Sequence, residues 1–256
     1  MPLEIEELPR VDIVLISHTH YDHLDLSSVY RIGNKALWIV PLGVKSYLAG
    51  QGIHNCIELN WWGSYSFTSR ESVKMSVTFT PTQHWTARTL FDKSTCLWGS
   101  FAVKSGDGQS FFFGGDTAYN AACFGSIGEA LGPFDLAALP IGAYKPRKLT
   151  RHVHCDPEEA IKIHKLLKAK QSVGIHWGTY PLTAEDAVEP PLELHRARME
   201  ADVSSSQFFT TVPGQVYALG EEPEDDFALQ NTDLYNLYIE QVWSKERNDL
   251  ELLSSS

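Results

Sequence analysis

The sequence predicts a layered α/β fold that contains more than one sheet, rather than a single parallel array. Short apolar runs of strand length alternate with helical patterns, and a group of consecutive strands lies in the middle of the chain. The chain has 256 residues, of which 43% are hydrophobic, so it can bury one sizeable core. We therefore expect one domain at residues 1–220 and an acidic tail at residues 221–256.

Two strand–helix pairs are predicted at the start of the domain. The runs VDIVLIS (11–17) and LWIVP (37–41) have the apolar character of buried strands. A helical pattern follows each of them, at 26–33 and 44–52, and a glycine marks the end of each helix. This alternation of strands and helices is part of the mixture that indicates layered α/β sheets.

The middle of the domain is predicted to be rich in strands. The segments 56–62 and 72–81 have strand composition, and the second shows partial alternation of apolar and polar residues. The segments 96–105 and 109–116 flank Gly106-Asp107-Gly108, which is a hairpin signal. We expect these two segments to form a β-hairpin.

Helices and strands alternate again in the last part of the domain. Asp156, Pro157 and Glu159 are favoured at the N-cap, first and third positions of a helix, so a helix is expected to begin there. The other predicted helices lie near 121–131 and 192–201, and the predicted strands at 135–142, 172–178, 207–212 and 215–219. Within the tail we expect a linker at 221–231 and a short helix at 232–246.

Charge and cysteine content exclude several classes of protein. The tail holds ten acidic and two basic residues, so it carries −8 of the formal net charge of −11. The rest of the chain is nearly neutral and has no basic stripe, which argues against a nucleic-acid partner. The four cysteines are too sparse for a disulfide scaffold, and we expect them to be reduced. The start resembles no signal peptide, and no run reaches the roughly 18 apolar residues of a spanning helix.

The strongest functional signal is His18-Thr19-His20-Tyr21-Asp22-His23, directly after the first strand. Residues two apart do not share a helical face, whereas a tight loop at a strand end can aim them at two neighbouring points. His18 and His20 are expected to bind one metal ion, and Asp22 and His23 a second. Imidazole and carboxylate together favour zinc or another first-row divalent ion.

Two ions need further ligands, and three candidates follow other predicted strands. These are His84, Asp116 and His176, which come after VTFTP, FFFGG and SVGI. Alone, each is more simply a structural histidine or a turn aspartate. Beside the HTHYDH loop they complete a set of five His and two Asp, in which Asp116 can bridge two cations. His54, His164 and His195 lack such a context and are interpreted as surface or packing residues.

The motif and ten longer segments carry a family resemblance. HxHxDH after a strand, then a distant His, a Gly-Asp and a final His, resembles the metallo-β-lactamase superfamily of dinuclear zinc hydrolases. The whole region 7–220 resembles, more specifically, the N-acyl-phosphatidylethanolamine-hydrolysing phospholipases D. The matching segments are SHTHYDHLD, VPLG, IELNWW, FTPTQHW, LWGSFAV, FFFGGDTAY, GPFDLAALPIGAYKPR, DPEEA, IHWGTY and EPP.

The resemblance implies an αββα sandwich with two zinc ions. His18, His20 and His84 would hold one ion, Asp22, His23 and His176 the other, and Asp116 would bridge them. It also implies catalytic roles for Asp22, for Asp116 and, near the substrate phosphate, for His154; His152 is the competing residue. The implied substrate is an N-acylated phospholipid, and the implied partners are a membrane surface, bound peripherally, and a second copy of the chain. The implied location is the cytosolic face of Golgi or endosomal membranes, without secretion.

One departure from the family leaves alternatives open. Family members carry earlier strands with Gly-His-Ala-Thr-like and Thr-Asp-Pro-like segments, which this sequence lacks, so we expect an N-terminally truncated sandwich. The alternatives are a dinuclear zinc hydrolase of a soluble phosphodiester, lactone or thioester, and a truncated relative without catalysis. Two interpretations also remain for Arg147, as a phosphate ligand or a surface charge. The tryptophans at 61, 62, 85 and 98 are expected either in the core or along an apolar, interfacial surface.

Overall fold

The computed structural model describes residues 4–69, 72–211, 215–219 and 231. The strands are β1 (Ile13–Leu15), β2 (Leu37–Pro41), β3 (Cys56–Leu59), β4 (Ser64–Thr68), β5 (Lys74–Thr80), β6 (Ser100–Ser105), β7 (Ser110–Phe113), β8 (Leu136–Pro140), β9 (Gln171–Ile175) and β10 (Phe208–Thr210). The helices are α1 (Leu26–Ile32), α2 (Val44–Gly50), α3 (Ala121–Ala130), α4 (Arg147–Thr150), α5 (Pro157–Leu166) and α6 (Glu189–Ala201), with 3-10 turns at Ile5–Glu7 and Gly33–Lys35.

The strands form two sheets. A small parallel sheet has the order β1-β2-β3. A large mixed sheet has the order β10-β9-β8-β7-β6-β5-β4, in which the strands from β4 to β7 are antiparallel and those from β7 to β10 are parallel. The predicted hairpin is confirmed as the antiparallel pair β6 and β7.

Three apolar clusters hold four layers together. The first lies between the small sheet and the helices α1 and α2, around Val29, Val40 and Leu48. The second joins the two sheets and includes Phe79 and Phe101. The third packs α3, α5 and α6 on the outer face of the large sheet. The order helix, sheet, sheet, helix confirms the predicted layered α/β class and its αββα form.

The structure contains one strand that the sequence pattern did not predict. The segment 56–62 ends as a strand at Leu59, and a turn leads into β4 at Ser64. β4 pairs with β5 at the edge of the large sheet, and alternate residues along it are exposed. The pattern SYSFT is largely polar, because only one face of this edge strand is covered, so its apolar signal is weak.

Other boundaries also differ from the predictions. β1 and β6 are shorter than the segments 11–17 and 96–105. The predicted strand at 215–219 is wrong, since these residues form no regular element, although the hydroxyl of Tyr217 donates to Gln171 Oε1 at 2.8 Å. The short helix α4 was not predicted. The expected linker and tail helix at 221–246 lie outside the described residues, apart from Asn231.

The predicted start of α5 is confirmed. Asp156 is the N-cap, its carboxylate accepts from the Glu159 amide at 2.9 Å, and the Glu159 side chain returns to the Asp156 amide. Pro157 occupies the first turn. This reciprocal capping fixes the point at which the loop after β8 enters the helix.

Strand direction brings several loops to one edge of the large sheet. β5 and β7 are both antiparallel to β6, so they point the same way, and β8 and β9 are parallel to β7. The carboxyl ends of these four strands therefore lie side by side. The loop after β1 of the small sheet joins the same edge, where the amide of Gly99 donates to the Ser17 carbonyl at 3.0 Å.

Among the residues that the structure describes, no helix combines the length and the apolar character needed to cross a lipid bilayer.

Candidate metal centre

All seven predicted ligands meet at this edge of the sheets. They fall into two groups, in each of which four candidate ligand atoms lie within 4.8 Å of one another. The first group is His18, His20, His84 and Asp116, and the second is Asp22, His23, Asp116 and His176. The residues of the HTHYDH loop divide between the groups as their spacing predicted.

The first group is mostly buried, and its imidazole nitrogens and carboxylate oxygen lie close to one another. His20 Nδ1 lies 3.0 Å from His18 Nε2 and 3.3 Å from His84 Nε2. Asp116 Oδ2 lies 3.8 Å from His18 Nε2 and 3.6 Å from His84 Nε2. Zinc bonds of about 2.0–2.1 Å in a tetrahedron separate ligand atoms by about 3.3–3.4 Å. The observed separations therefore suit one tetrahedral cation.

The second group has the same dimensions. His23 Nε2 lies 3.2 Å from Asp22 Oδ2 and 3.3 Å from Asp116 Oδ1. His176 Nε2 lies 3.4 Å from Asp22 Oδ2 and 3.2 Å from Asp116 Oδ1. The Asp22 side chain is 23% exposed, so this group opens towards solvent.

Asp116 joins the two groups because each group receives a different oxygen of its carboxylate. The residue is only 4% exposed. Within the described residues, the buried atoms Asp116 Oδ1 and His23 Nε2 have no hydrogen-bond partner of acceptable geometry. Buried polar atoms are normally paired, and a metal ion satisfies both atoms at once. The donor set thus fits two ions that share one carboxylate.

Electrostatic effects in the site follow from burial and from the close packing of carboxylates and imidazoles. Burial lowers the pKa of His84 to about 3, and burial together with neighbouring His23 lowers that of His18 well below its usual value. Burial opposes the ionisation of Asp116, but the adjacent His176 and His23 hold its pKa well below the usual range. In the first group, neutral His18 and His84 beside ionised Asp116 are the protonation states that a metal ion requires. In the second group, the carboxylates of Asp116 and Asp22 outweigh burial and raise the pKa of His23 to about 10, so a bound cation would have to displace a proton there.

Two contacts orient the buried histidines of the first group. Ser17 Oγ lies 3.0 Å from His18 Nδ1. His84 Nδ1 lies 2.8 Å from the Val153 carbonyl, and since a carbonyl can only accept, this nitrogen carries the proton. His84 Nε2 is then left as the lone-pair atom that faces the group. Such contacts fix the tautomer and the ring plane of a metal-binding histidine.

His154 lies beside the ligands without belonging to either group. Its ring is stacked with that of His176 at 5.6 Å between centroids, and its Nδ1 is 4.0 Å from Asp116 Oδ2. Nδ1 is buried and has no hydrogen-bond partner among the described residues. Burial lowers the pKa of His154 to about 4. The competing His152 is exposed, and its ring nitrogen Nε2 contacts Arg151 instead.

Arg147 has a structural role that neither sequence interpretation described. Its Nη1 donates to the His154 carbonyl at 2.8 Å, and its Nη2 donates to Glu159 Oε2 at 2.7 Å. Its Nε lies 3.1 Å from Asp156 Oδ2. The guanidinium therefore ties the His154 loop to the first turn of α5.

The four tryptophans do not share one environment. Trp61 and Trp62 are 36% and 45% exposed, and Trp61 Nε1 donates to the Trp98 carbonyl. Trp98 Nε1 donates to the Thr82 carbonyl, so this side chain is held at the end of β5. The Trp85 ring packs edge-on against His20, 4.4 Å between centroids. Only Trp85 contacts a predicted ligand.

A cleft beside the second group was not predicted as part of the site. Its volume is about 210 Å³, and Asp22, His23 and His176 form its polar wall. Ile175, Trp177, Tyr180 and Leu182 contribute an apolar side. The only sequence signal for it is the segment IHWGTY, because the apolar side chains lie on a loop without periodicity.

The comparisons with known proteins agree with this geometry. Residues 1–177 match the family model described as the beta-lactamase superfamily domain. The chain is 40% identical over 226 residues to N-acyl-phosphatidylethanolamine-hydrolyzing phospholipase D 1 of Caenorhabditis elegans, covering 84% of this chain and 63% of that protein. It is 40% identical over 197 residues to the mitochondrial N-acyl-phosphatidylethanolamine-hydrolyzing phospholipase D of Saccharomyces cerevisiae, covering 76% of this chain and 42% of that protein.

A solved structure extends the comparison to the fold. The isothiocyanate hydrolase from Delia radicum gut bacteria has a TM-score of 0.64 at 18% identity and covers 85% of this chain and 80% of that chain. At this identity the likeness concerns the fold alone. The chain spans less than two thirds of the length of the two phospholipases that it resembles. By its family model and its relatives, the chain belongs to the metallo-β-lactamase superfamily of hydrolases.

Proposed function

We propose that the protein is a zinc-dependent phospholipase D that hydrolyses N-acyl-phosphatidylethanolamine to N-acylethanolamine and phosphatidate. The observation that carries the proposal is the pair of ligand groups joined by Asp116 and open to a cleft with one polar and one apolar side. Such a cleft suits an amphiphilic phosphodiester. The 40% identity to two proteins named for this activity supports the same substrate.

The residues that would hold the metal are the two groups described above. Imidazole and carboxylate ligands at tetrahedral spacing favour zinc. When bound, two such ions polarise a phosphoryl oxygen and lower the pKa of a water molecule towards neutrality.

In this proposal, the carboxylates of the second group orient the attacking water. Asp22 Oδ2 and Asp116 Oδ1 lie within 3.4 Å of the same two imidazole nitrogens, so both can accept hydrogen bonds from one water at the mouth of the cleft. Attack forms a new bond from water oxygen to phosphorus, and the bond from phosphorus to the ethanolamine oxygen breaks. The departing oxygen takes up a proton, which leaves N-acylethanolamine and phosphatidate.

In this proposal, His154 donates a hydrogen bond to the phosphoryl group. Its lowered pKa makes the ring neutral near pH 7, so it offers one N–H rather than a positive charge. A donor that faces the charge which develops on phosphoryl oxygens stabilises the transition state. Arg147 supports this role indirectly, by holding the His154 carbonyl.

The proposal includes the partners that the family resemblance implies. The protein would bind peripherally to the cytosolic face of Golgi or endosomal membranes, where its lipid substrate lies, and would form a homodimer. Nucleic acid is not among the proposed partners.

The first test measures metal content together with lipid turnover. The full chain is expected to hold about two zinc ions and to release N-acylethanolamine from its phospholipid. His20→Ala removes the nitrogen that lies between His18 and His84, and should abolish turnover and lower the zinc content. His54→Ala, at an exposed histidine far from the ligand groups in sequence, is the matched control and should change neither.

Other outcomes distinguish the alternatives. Two zinc ions with turnover of a soluble phosphodiester, lactone or thioester, but not of the lipid, would contradict the proposed substrate. Folded protein with little zinc would contradict the enzyme proposal and favour a non-catalytic relative.

A second test concerns His154. His154→Ala should lower kcat for the phospholipid by about 100-fold, because the donor to the phosphoryl group is lost. The zinc content should stay near that of the wild type, since His154 belongs to neither ligand group. His152→Ala serves as control and should retain full activity. An unchanged kcat in His154→Ala would assign the residue a packing role.

A further inference from the structure

The loop 86–96 ends in two adjacent side chains that are almost fully exposed. Leu90 is 94% exposed and Phe91 is 96% exposed. A single exposed apolar residue is ordinary on a protein surface. Two large neighbours that protrude together are less so, and they mark a contact site more often than a random feature.

Hydrogen bonds within the loop hold this tip in place. The Asp92 carboxylate accepts from the Arg88 amide at 3.0 Å and from the Thr89 amide at 2.7 Å. The Phe91 amide donates to Thr89 Oγ1 at 3.2 Å, and the Ser94 amide to the Thr86 carbonyl at 2.7 Å. The exposure of Leu90 and Phe91 is therefore a property of an ordered turn.

The loop is fastened to the HTHYDH loop of the metal centre. The Thr19 amide donates to Thr86 Oγ1 at 2.9 Å, and Arg88 Nη1 donates to the Thr19 carbonyl at 2.9 Å. The Tyr21 hydroxyl donates to the Arg88 carbonyl at 2.6 Å. Tyr21 itself is 68% exposed, between two ligand residues. The apolar tip thus projects from the same edge as the metal centre.

Between the tip and the ligands lies a layer of cations on aromatic rings. The Arg88 guanidinium is 4.5 Å from the centre of the Tyr21 ring, and Lys93 Nζ is 4.8 Å from that of Trp85. Trp85 in turn contacts His20. From the tip inwards, the loop therefore presents apolar side chains, then aromatic and cationic side chains, and then the polar site. A bilayer surface has the same order of acyl chains, headgroups and water.

We infer that Leu90 and Phe91 insert into a phospholipid bilayer and dock the metal centre against its surface. The inference rests on the proposed phospholipid substrate, and it identifies the loop that would hold the metal centre at the membrane surface. A protein partner fits the tip less well, because two protruding side chains are far short of the roughly 800 Å² that each partner buries in a stable interface. A bilayer needs no complementary pocket, and the cations beside the tip suit lipid phosphates.

The test uses the full metal-loaded chain and vesicles of phosphatidylcholine and phosphatidylethanolamine without N-acylated lipid. The wild type should sediment with the vesicles. Leu90→Ser combined with Phe91→Ser should lower the partition coefficient at least about tenfold, since two large apolar side chains no longer enter the bilayer. Met199→Ser is the matched control: it removes a 69% exposed side chain from α6, and binding should not change.

Each outcome decides for or against the docking role. Melting temperatures should be equal for all variants, because the substituted side chains are exposed. A wild type that stays in solution, or a double variant that binds like the wild type, would overturn the inference. So would a change of oligomeric state in the double variant without a change in vesicle binding, which would assign the tip to contact between copies. Vesicle binding by a chain that fails to hydrolyse N-acyl-phosphatidylethanolamine in the separate turnover assay would instead contradict the proposed function and leave docking intact.

Discussion

Asp116→Asn is expected to lower turnover of the proposed phospholipid by on the order of 10³-fold and to reduce bound zinc below two ions per chain. The carboxylate supplies Oδ2 to the first ligand group and Oδ1 to the second. An amide keeps the size of the side chain, but it loses the negative charge and turns one oxygen into a donor. Both groups are therefore impaired by one substitution.

Metal analysis by mass spectrometry and a phospholipid assay measure the two effects together. Asp107→Asn makes the same chemical change in the exposed turn between β6 and β7 and should behave as the wild type. Two ions and normal turnover in Asp116→Asn would show that the carboxylate does not bridge the groups.

Gly142→Ala is expected to cost at least about 3 kcal/mol of the free energy of unfolding and to damage the second ligand group. A Cβ at Gly142 would lie 2.0 Å from the His176 carbonyl oxygen and 3.3 Å from the Trp177 Cα. These are backbone atoms, so the end of β9 must move as a unit to relieve the clash. His176 is the first residue after β9 and would move with it.

Denaturant unfolding and zinc content measure this prediction. Gly50→Ala is a suitable control, because a Cβ there meets nothing within 4 Å and the residue closes a helix. If Gly142→Ala were as stable as the wild type, the chain after β8 and the chain after β9 would separate at little cost in free energy. That result would contradict their close approach in the structure.

Local sequence signals predicted which candidate ligands lie together, and strand direction explains why. The HTHYDH loop is recognisable because four candidate ligands fall within six residues. The distant His84, Asp116 and His176 were found because each follows an apolar run, and such runs end at a common edge when the strands share a direction. The fold class and the reciprocal cap of α5 could also be predicted from the sequence, since both depend on patterns within short segments.

What the sequence did not reveal depends on contacts between distant loops. The carbonyl of Val153 orients His84 although the two residues are 69 positions apart, and a backbone carbonyl has no sequence signature. The sequence left two interpretations of Arg147 open. The structure shows a third, because its guanidinium donates to the backbone carbonyl of His154 and to the Glu159 side chain of α5. The half-exposed strand β4 was missed because polar residues dominate it.

The ligand groups draw on both sheets of the sandwich. His18, His20, Asp22 and His23 extend from the small sheet, whereas His84, Asp116 and His176 extend from the large one. Each group contains residues from both sheets, so a cation held by either group would cross-link two layers that also meet through an apolar cluster and through hydrogen bonds between loops. Binding of the proposed zinc ions would therefore link folding to zinc supply, and the fraction of molecules with a closed sandwich would follow the free zinc concentration of the surroundings.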